Sequence, residues 1–273
     1  MNDSTPLAYE LERVHPGQRS VIPDDPGLAF LSDLLEDFAD EWVTKIMFHY
    51  RWFYAADRAF AQAWVVGDRM IGAPADTRRA AMIAFNDRQV SRMAIVGCTE
   101  QNRPIIEGSY ARILEILERH MPTMPFLIGS RPALADFGLF GQLIILATDP
   151  TPANEMRQRA PDVLTWLLRL DDASGVDGHW IDPHEPLPEA IVSLLRHAAE
   201  VYLPFLAANA DAFGHGDAEV SLQLMGQRYT QAPFRYQVKC YDGLRKKYAA
   251  LDGAARRRIE PVLDETGCLR WLT

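Results

Sequence analysis

The chain has 273 residues, of which 48% are hydrophobic and 24% are charged, and its formal net charge at pH 7 is −9. This composition is typical of a globular protein with one large domain or two small ones. The negative charge argues against a nucleic-acid-binding protein, because contacts with phosphate groups need a basic surface. The sequence begins without the apolar segment of a signal peptide, and no apolar run reaches the ~20 residues that span a membrane. A cytoplasmic location with no membrane contact is therefore expected.

The cysteine pattern indicates reduced thiols. Cys98, Cys240 and Cys268 are far apart and form no C-x-x-C pair, so neither a zinc site nor a disulfide framework is predicted. Cys98 has no basic neighbour that would activate its thiol, and it is interpreted as structural. Cys240 follows Lys239, which favours a thiolate, but a packed helix cysteine is the preferred interpretation.

The first predicted elements are two helices. Residues 1–12 should form a short helix, because Asp3, Ser4 and Thr5 supply capping side chains. A long amphipathic helix should begin after Asp25, with Pro26 at its first position. Its apolar residues recur every three or four positions: Leu28, Leu31, Leu35, Phe38, Trp42, Ile46, His49 and Phe53. Its opposite side carries five acidic residues: Asp33, Glu36, Asp37, Asp40 and Glu41.

Those five acidic residues are interpreted as a solvated helix face. A metal cluster is the less favoured interpretation, because helical di-iron sites need Glu-x-x-His pairs and the sequence has none. No metal site is therefore predicted. The sequence also lacks a phosphate-binding glycine loop and the residue order of a Ser-His-Asp triad.

Further helices are predicted at residues 76–96, 104–120, 137–147 and 163–170, which together make a bundle. The helix at 137–147 is apolar on nearly every side, so it should lie at the centre of the protein. Gly138 and Gly141 leave one side of it almost without side chains, which would allow close approach by another element. Asp136 lies in its first turn, where a carboxylate can accept free backbone N–H groups.

A change of composition follows this bundle. Residues 174–188 contain three prolines and two glycines and are predicted to be a linker. A helix at 188–212 follows, with a kink expected at Pro204. Apolar and polar residues alternate at 219–229, which indicates a strand or hairpin. Helices are predicted at 234–251 and 254–265, near the end of the chain. The chain as a whole is predicted to be all-α.

The segment from Gly129 to the buried helix resembles the C-terminal domain of the glutathione transferase superfamily, through Ala135-Asp136 at the start of that helix. In that family a Ser or Thr three residues before the Asp completes an N-capping box. Ala133 occupies that position here, so half of the box is absent. The run of residues 233–237 with Lys239-Cys240 also resembles the C-terminal extension of some bacterial members.

The resemblance implies a domain organisation. Residues 1–25 would be the last helix of a thioredoxin-like domain with its linker. Residues 26–174 would be the helical C-terminal-type bundle, and residues 175–273 an α-rich extension.

The resemblance also implies site residues. Asp3 and Ser4 match the family position that holds the γ-glutamyl carboxylate of glutathione at a helix N-terminus; a plain helix cap is the alternative. His49 and Trp52 match the helix that lines the pocket for the hydrophobic co-substrate. The alternative is that His49, like Phe53, only extends the row of core-facing residues on this helix. No catalytic residue is assigned, because the family's thiolate-stabilising residue and cis-proline loop precede the Asp-Ser pair.

Two functions follow as hypotheses. The first is a homodimeric glutathione transferase family protein that, in complete form, transfers the thiol of glutathione to an electrophilic small molecule. The second is a non-catalytic helical binding or scaffolding domain that retains only the fold. The chain as given is expected neither to bind glutathione measurably nor to catalyse conjugation.

Overall fold

A computed structural model describes residues 4–17 and 19–273. The α-helices are α1 (Ser4–Val14), α2 (Pro26–Phe38), α3 (Thr44–Phe53), α4 (Ala55–Arg69), α5 (Ala75–Val90), α6 (Arg103–His120), α7 (Leu134–Leu146), α8 (Pro150–Arg159), α9 (Pro161–Asp171), α10 (Glu189–Val201), α11 (Leu203–His215), α12 (Arg235–Ala250), α13 (Gly253–Glu265) and α14 (Leu269–Leu272). The strands are β1 (Val220–Leu224) and β2 (Gln227–Gln231).

The predicted all-α class is confirmed, because 68% of the residues are helical and the strands form only a two-stranded sheet in the described part. The predicted hairpin is also present. Val220 pairs with Gln231 and Leu224 with Gln227 in antiparallel register. Met225 and Gly226 turn the chain with φ of 48° and 73°. Positive φ at both central residues matches the twist of the two strands.

The predicted long helix is continuous in space but not uniform. Between α2 and α3 the chain makes a π-helical turn at Ala39–Val43, which adds a residue to the turn and shifts the faces of the two helices relative to each other. Asp25 caps α2 as predicted, since its Oδ1 accepts from the N–H groups of Gly27 and Leu28.

Several boundaries differ from the prediction. Helices α4 and α8 were not predicted, and the predicted helix at 188–212 is divided at Tyr202 into α10 and α11. The combined stretch Glu189–His215 is long and apolar enough to cross a membrane by length and composition. Of its most apolar window, 67% is nevertheless buried inside the fold, and a buried core helix passes the same test of length and composition.

Helix α7 lies at the centre of the bundle and packs against α2, α3, α9 and the π-helical turn. Helices α10, α12 and α13 also pack against α2, so one apolar core extends beyond residue 174. The predicted linker at 174–188 contains no helix, and Trp180 bridges Gly129. The predicted division at residues 25 and 174 stays a prediction.

The start of α7 contains half of a capping box, as predicted. Asp136 Oδ2 accepts the N–H of Ala133 at 2.9 Å, and Oδ1 accepts the N–H of Leu127 at 2.9 Å. The methyl group of Ala133 cannot accept a hydrogen bond in return. Instead, Ser32 of α2 supplies a hydroxyl oxygen, which accepts the N–H of Ala135 at 3.1 Å. The missing cap is thus replaced by a neighbouring helix.

Ser32→Ala should lower the free energy of unfolding by about 1 kcal/mol, because it leaves a buried N–H at the start of α7 without an acceptor. Urea unfolding measures the loss. Adding Ala133→Ser to this variant should restore part of the stability by supplying a cap from the family position. An unchanged urea midpoint for Ser32→Ala would mean that its hydroxyl does not cap α7.

The two glycines of α7 offer a matched pair of substitutions. A Cβ at Gly138 would lie 3.1 Å from Glu36 Cα and 3.3 Å from its carbonyl oxygen, whereas a Cβ at Gly141 meets nothing within 4 Å. Gly138→Ala should therefore destabilise the protein by about 1–3 kcal/mol through overpacking. Gly141→Ala should stabilise it by up to about 1 kcal/mol through helix propensity. Equal changes in the unfolding temperature of the Gly138→Ala and Gly141→Ala variants would contradict the close crossing of α2 and α7.

Candidate functional site

The N-terminus of α1 lies over the acidic side of α2. Asp3, the first residue of the predicted glutathione position, lies outside the described residues. Ser4 begins α1, and its Oγ is 3.5 Å from Asp40 Oδ2. Thr5 donates its hydroxyl to Glu36 Oε1 at 2.5 Å. The hydroxyl groups in the first turn of α1 therefore face carboxylates.

The interpretation of the acidic side as solvated is wrong. Asp33 and Glu36 are only 5% and 4% exposed, and the remaining three acidic residues are half-buried. The reason is that α1 and α12 both cover this side of α2. Helix periodicity identified the polar face, but it carried no signal that two helices distant in sequence would pack on it.

Each buried carboxylate has a hydrogen-bond donor from a different element. Tyr9 of α1 and Lys247 of α12 both donate to Asp33, with Tyr9 at 2.7–2.8 Å from the two oxygens and Lys247 at 2.8 Å. Tyr202, between α10 and α11, donates to Asp37 at 2.5 Å. Tertiary donors therefore partly replace the water that these acids lose.

The electrostatics of this side favour protonated acids. Burial raises the pKa of Glu36 to about 8, of Glu41 to about 7 and of Asp37 to about 6. The hydrogen bonds from Thr5 and Tyr202 act in the opposite direction. Like charges three and four positions apart on one helix add repulsion.

A cavity of about 350 Å³ opens between these acids and α12. We call it the acidic pocket; its charged lining residues are Glu36, Asp37, Asp40, Glu41, Lys239 and Lys247. A second cavity of about 180 Å³ adjoins it and shares Asp40, Glu41 and Tyr236 with it. No group of three or more His, Cys, Asp or Glu side chains across the described residues has an arrangement that could hold a metal ion.

Lys45 borders the second cavity and was not singled out by the sequence. Its Nζ donates to Gln231 Oε1 at 2.8 Å and to the carbonyl of Val96 at 3.2 Å, and it lies 4.6 Å from the ring centre of Phe205. Burial lowers its pKa to about 8. A lysine in the middle of an amphipathic helix usually reaches solvent, so only the fold reveals its burial.

The predicted co-substrate residues are buried away from both cavities. His49 is fully buried, with Nε2 3.0 Å from Glu107 Oε1, and Tyr54 donates to the same oxygen at 2.5 Å. Trp52 packs edge-on against Phe85 at 5.5 Å between ring centres. Neither His49 nor Trp52 lines the acidic pocket or the second cavity. Their role in a substrate pocket stays a prediction.

One buried relay has the residue types of a hydrolase triad. Ser109 Oγ lies 2.6 Å from His197 Nε2, and His197 Nδ1 lies 3.7 Å from Glu200. Trp42 donates its indole N–H to Ser109 Oγ at 2.9 Å. Ser109 is fully buried, so no substrate can reach its hydroxyl. The relay instead joins the π-helical turn, α6 and α10.

Comparison with known proteins identifies a domain within the chain. Residues 87–169 match the family model described as "Glutathione S-transferase, C-terminal domain". The chain contains a glutathione S-transferase C-terminal domain. No curated protein matches the chain. The matched region of this transferase domain includes α7 with its Asp136 cap, which confirms the resemblance inferred from Ala135-Asp136.

The acidic pocket is built from elements outside the matched part of the glutathione S-transferase domain. Helices α1, α2 and α12 and the π-helical turn all lie before residue 87 or after residue 169. The family match therefore covers α6, α7, α8 and most of α9, while the pocket is formed by the segments that flank the match in sequence.

The two buried cysteines, Cys98 inside the matched domain and Cys268 outside it, are poor nucleophiles. Burial raises the pKa of Cys98 to about 12 and that of Cys268 to about 11. Each donates its thiol to a backbone carbonyl, of Lys45 and Leu195 respectively. A structural role for Cys98 agrees with this geometry.

Glu36→Gln should reduce the pH dependence of stability. The pKa of Glu36 is raised in the folded protein from 4.5 to about 8, so its contribution is fully present below about pH 4.5 and is lost as the pH rises through about 8. Urea unfolding at pH 5, 7 and 9 should show a smaller loss of stability at high pH for the variant than for the wild type.

The buried His120 and His197 have lowered pKa values and destabilise wild type and variant alike at low pH, so the difference between the two proteins isolates Glu36. Asp217→Asn, at an exposed acid, is the matched control and should follow the wild-type profile. Parallel profiles for Glu36→Gln and wild type would show that Glu36 is not held neutral.

Proposed function

We propose that this chain is the helical part of a glutathione transferase family protein that, in complete form, transfers the thiol of glutathione to an electrophilic small molecule. The observation that carries the proposal is the family match over residues 87–169, which covers the core helix and its Asp136 cap. The polar surroundings of the α1 N-terminus support it independently.

Ser4 is proposed to bind the γ-glutamyl end of glutathione. A helix N-terminus attracts a carboxylate through its free N–H groups and its dipole, and Ser4 is the first residue of α1. Asp40 lies beside Ser4, where its carboxylate suits the α-ammonium group of the same γ-glutamyl moiety. Together they would recognise both charges of an amino-acid end.

Activation of the thiol requires a group that this chain is not proposed to supply. A hydrogen-bond donor or positive charge must lie beside the sulfur to lower its pKa, and in the resembled family a thioredoxin-like domain provides it. Two apolar surfaces support docking of such a domain. Leu7, Leu11 and Val14 are exposed along one side of α1, and Phe137 and Phe140 are half-buried on α7.

The two helices that carry these surfaces meet at Glu36. Its carboxylate accepts the hydroxyl of Thr5 on α1, and its backbone lies against Gly138 on α7. The docked domain is proposed to contact both helices. Exposed aromatic residues on α4, Phe60 and Trp64, support the further proposal of a homodimer, as is common in this family.

Translating the genomic DNA that precedes the Met1 codon tests the proposal. We expect an in-frame segment of about 50–80 residues with a β-α-β pattern and a Val-Pro pair, which is enough for a small domain. The extended protein should conjugate glutathione to 1-chloro-2,4-dinitrobenzene, and the present chain should not. Non-coding DNA upstream would favour the non-catalytic binding or scaffolding domain.

Ser4→Ala in the extended protein should raise the KM for glutathione about tenfold, because a hydrogen bond to a charged group is lost. The matched control is Ser91→Ala, at an exposed serine whose hydroxyl donates to its own helix, and its KM should not change.

Light scattering on the same samples reports the oligomeric state, and a monomer would contradict the proposed homodimer.

A further inference from the structure

The acidic pocket and the second cavity adjoin each other, and their combined lining is of mixed character. They share Asp40, Glu41 and Tyr236, so a ligand that occupies one borders the other. Carboxylates line the α2 side, while Leu244 and Phe234 contribute apolar surface on the other side. An elongated ligand with both charge and methylene groups matches this lining.

A buried acceptor without a donor points independently to a ligand. Gln237 is only 3% exposed and lines the second cavity. Its Nε2 contacts Glu41 Oε2 at 3.4 Å, but its Oε1 has no hydrogen-bond partner among the described residues. Buried carbonyl oxygens are almost always hydrogen-bonded, so a ligand N–H group would complete the environment of Gln237.

The charge balance favours a cation. Among the described residues, four carboxylates and two lysines line the acidic pocket, and one of the two, Lys247, is paired with Asp33 outside this set. Burial raises the pKa values of Glu36, Asp37 and Glu41, and repulsion between neighbouring carboxylates adds to the effect. Besides these carboxylates, the charged and titratable groups that face it are Lys45 of α3, Tyr202 beside α10, and Tyr236, Lys239, Cys240 and Lys247 of α12.

We propose that the acidic pocket and the second cavity together bind an aliphatic diamine or polyamine. Its ammonium groups would pair with Glu41 and Asp37, its methylene groups would contact Leu244 and Phe234, and an N–H group would reach Gln237 Oε1. The positive Lys45 at the inner end directs the ligand charge toward the carboxylates. The side chains proposed to contact this ligand all lie outside the matched domain, and Val96 of that domain also lines the second cavity.

Binding should release protons. Each protonated carboxyl group that pairs with an ammonium group loses its proton to solvent, which leaves a carboxylate–ammonium pair. Calorimetric titration of spermidine into the full chain at pH 7, in phosphate and in Tris, should give one saturable site with a buffer-dependent heat. The affinity should also increase from pH 6 to pH 8, as linkage requires.

Variants separate a built site from general attraction. Glu41→Gln should weaken spermidine binding about tenfold, equivalent to about 1.4 kcal/mol. Gln237→Leu should also weaken it, although no charge changes. Asp217→Asn, which removes one exposed negative charge elsewhere, should leave the affinity unchanged.

Three results would overturn the proposal. The first is no saturable heat with millimolar spermidine in either buffer. The second is an equal loss of spermidine affinity in the Asp217→Asn and Glu41→Gln variants. The third is displacement of spermidine by Mg²⁺ at an equal concentration of positive charge. Each of the last two would indicate nonspecific charge attraction. Circular dichroism of each variant checks that the helices remain formed.

Discussion

The close crossing of α2 and α7 is the constraint on which the rest of the structure depends. Gly138 lets the two backbones approach at Glu36, and one turn earlier Ser32 completes the cap of α7. The Asp136 carboxylate then holds the loop before α7 through Ala133 and Leu127. The buried position of this carboxylate raises its pKa to about 7, yet the backbone N–H groups stabilise its charged form. The close packing at Gly138 and the Ser32 cap are therefore parts of the same contact between α2 and α7.

The same crossing explains why the acidic side of α2 is buried. Helix α2 contacts α7 on one side, and α1 and α12 then cover its other side. The carboxylates are retained there by donors such as Tyr9, Tyr202 and Lys247. Removing a single donor from such a network costs more than its formation contributes, because it leaves a buried acceptor unpaired.

Local patterns predicted the parts of the fold that depend on neighbouring residues. The buried helix at 137–147, the Asp25 cap and the hairpin near Gly226 follow from periodicity, capping chemistry and turn residues. Helix α8 was missed because, besides its two prolines, its ten residues include only Ala153 and Met156 as apolar residues. Gly141 was expected to admit a close neighbour and does not, since periodicity cannot tell which glycine lies at a crossing.

Features set by distant segments could not be predicted in this way. The Ser32 cap joins residues 103 positions apart, the Lys45–Gln231 contact joins residues 186 apart, and the Lys247–Asp33 pair joins residues 214 apart. An amphipathic pattern records which face is polar, but water and a polar partner helix satisfy it equally. The scaffold around α7 was therefore readable from its own residues and its family resemblance. The acidic pocket, by contrast, is formed where α1 and α12, two segments far apart in sequence, meet on α2, so no single stretch of sequence could reveal it.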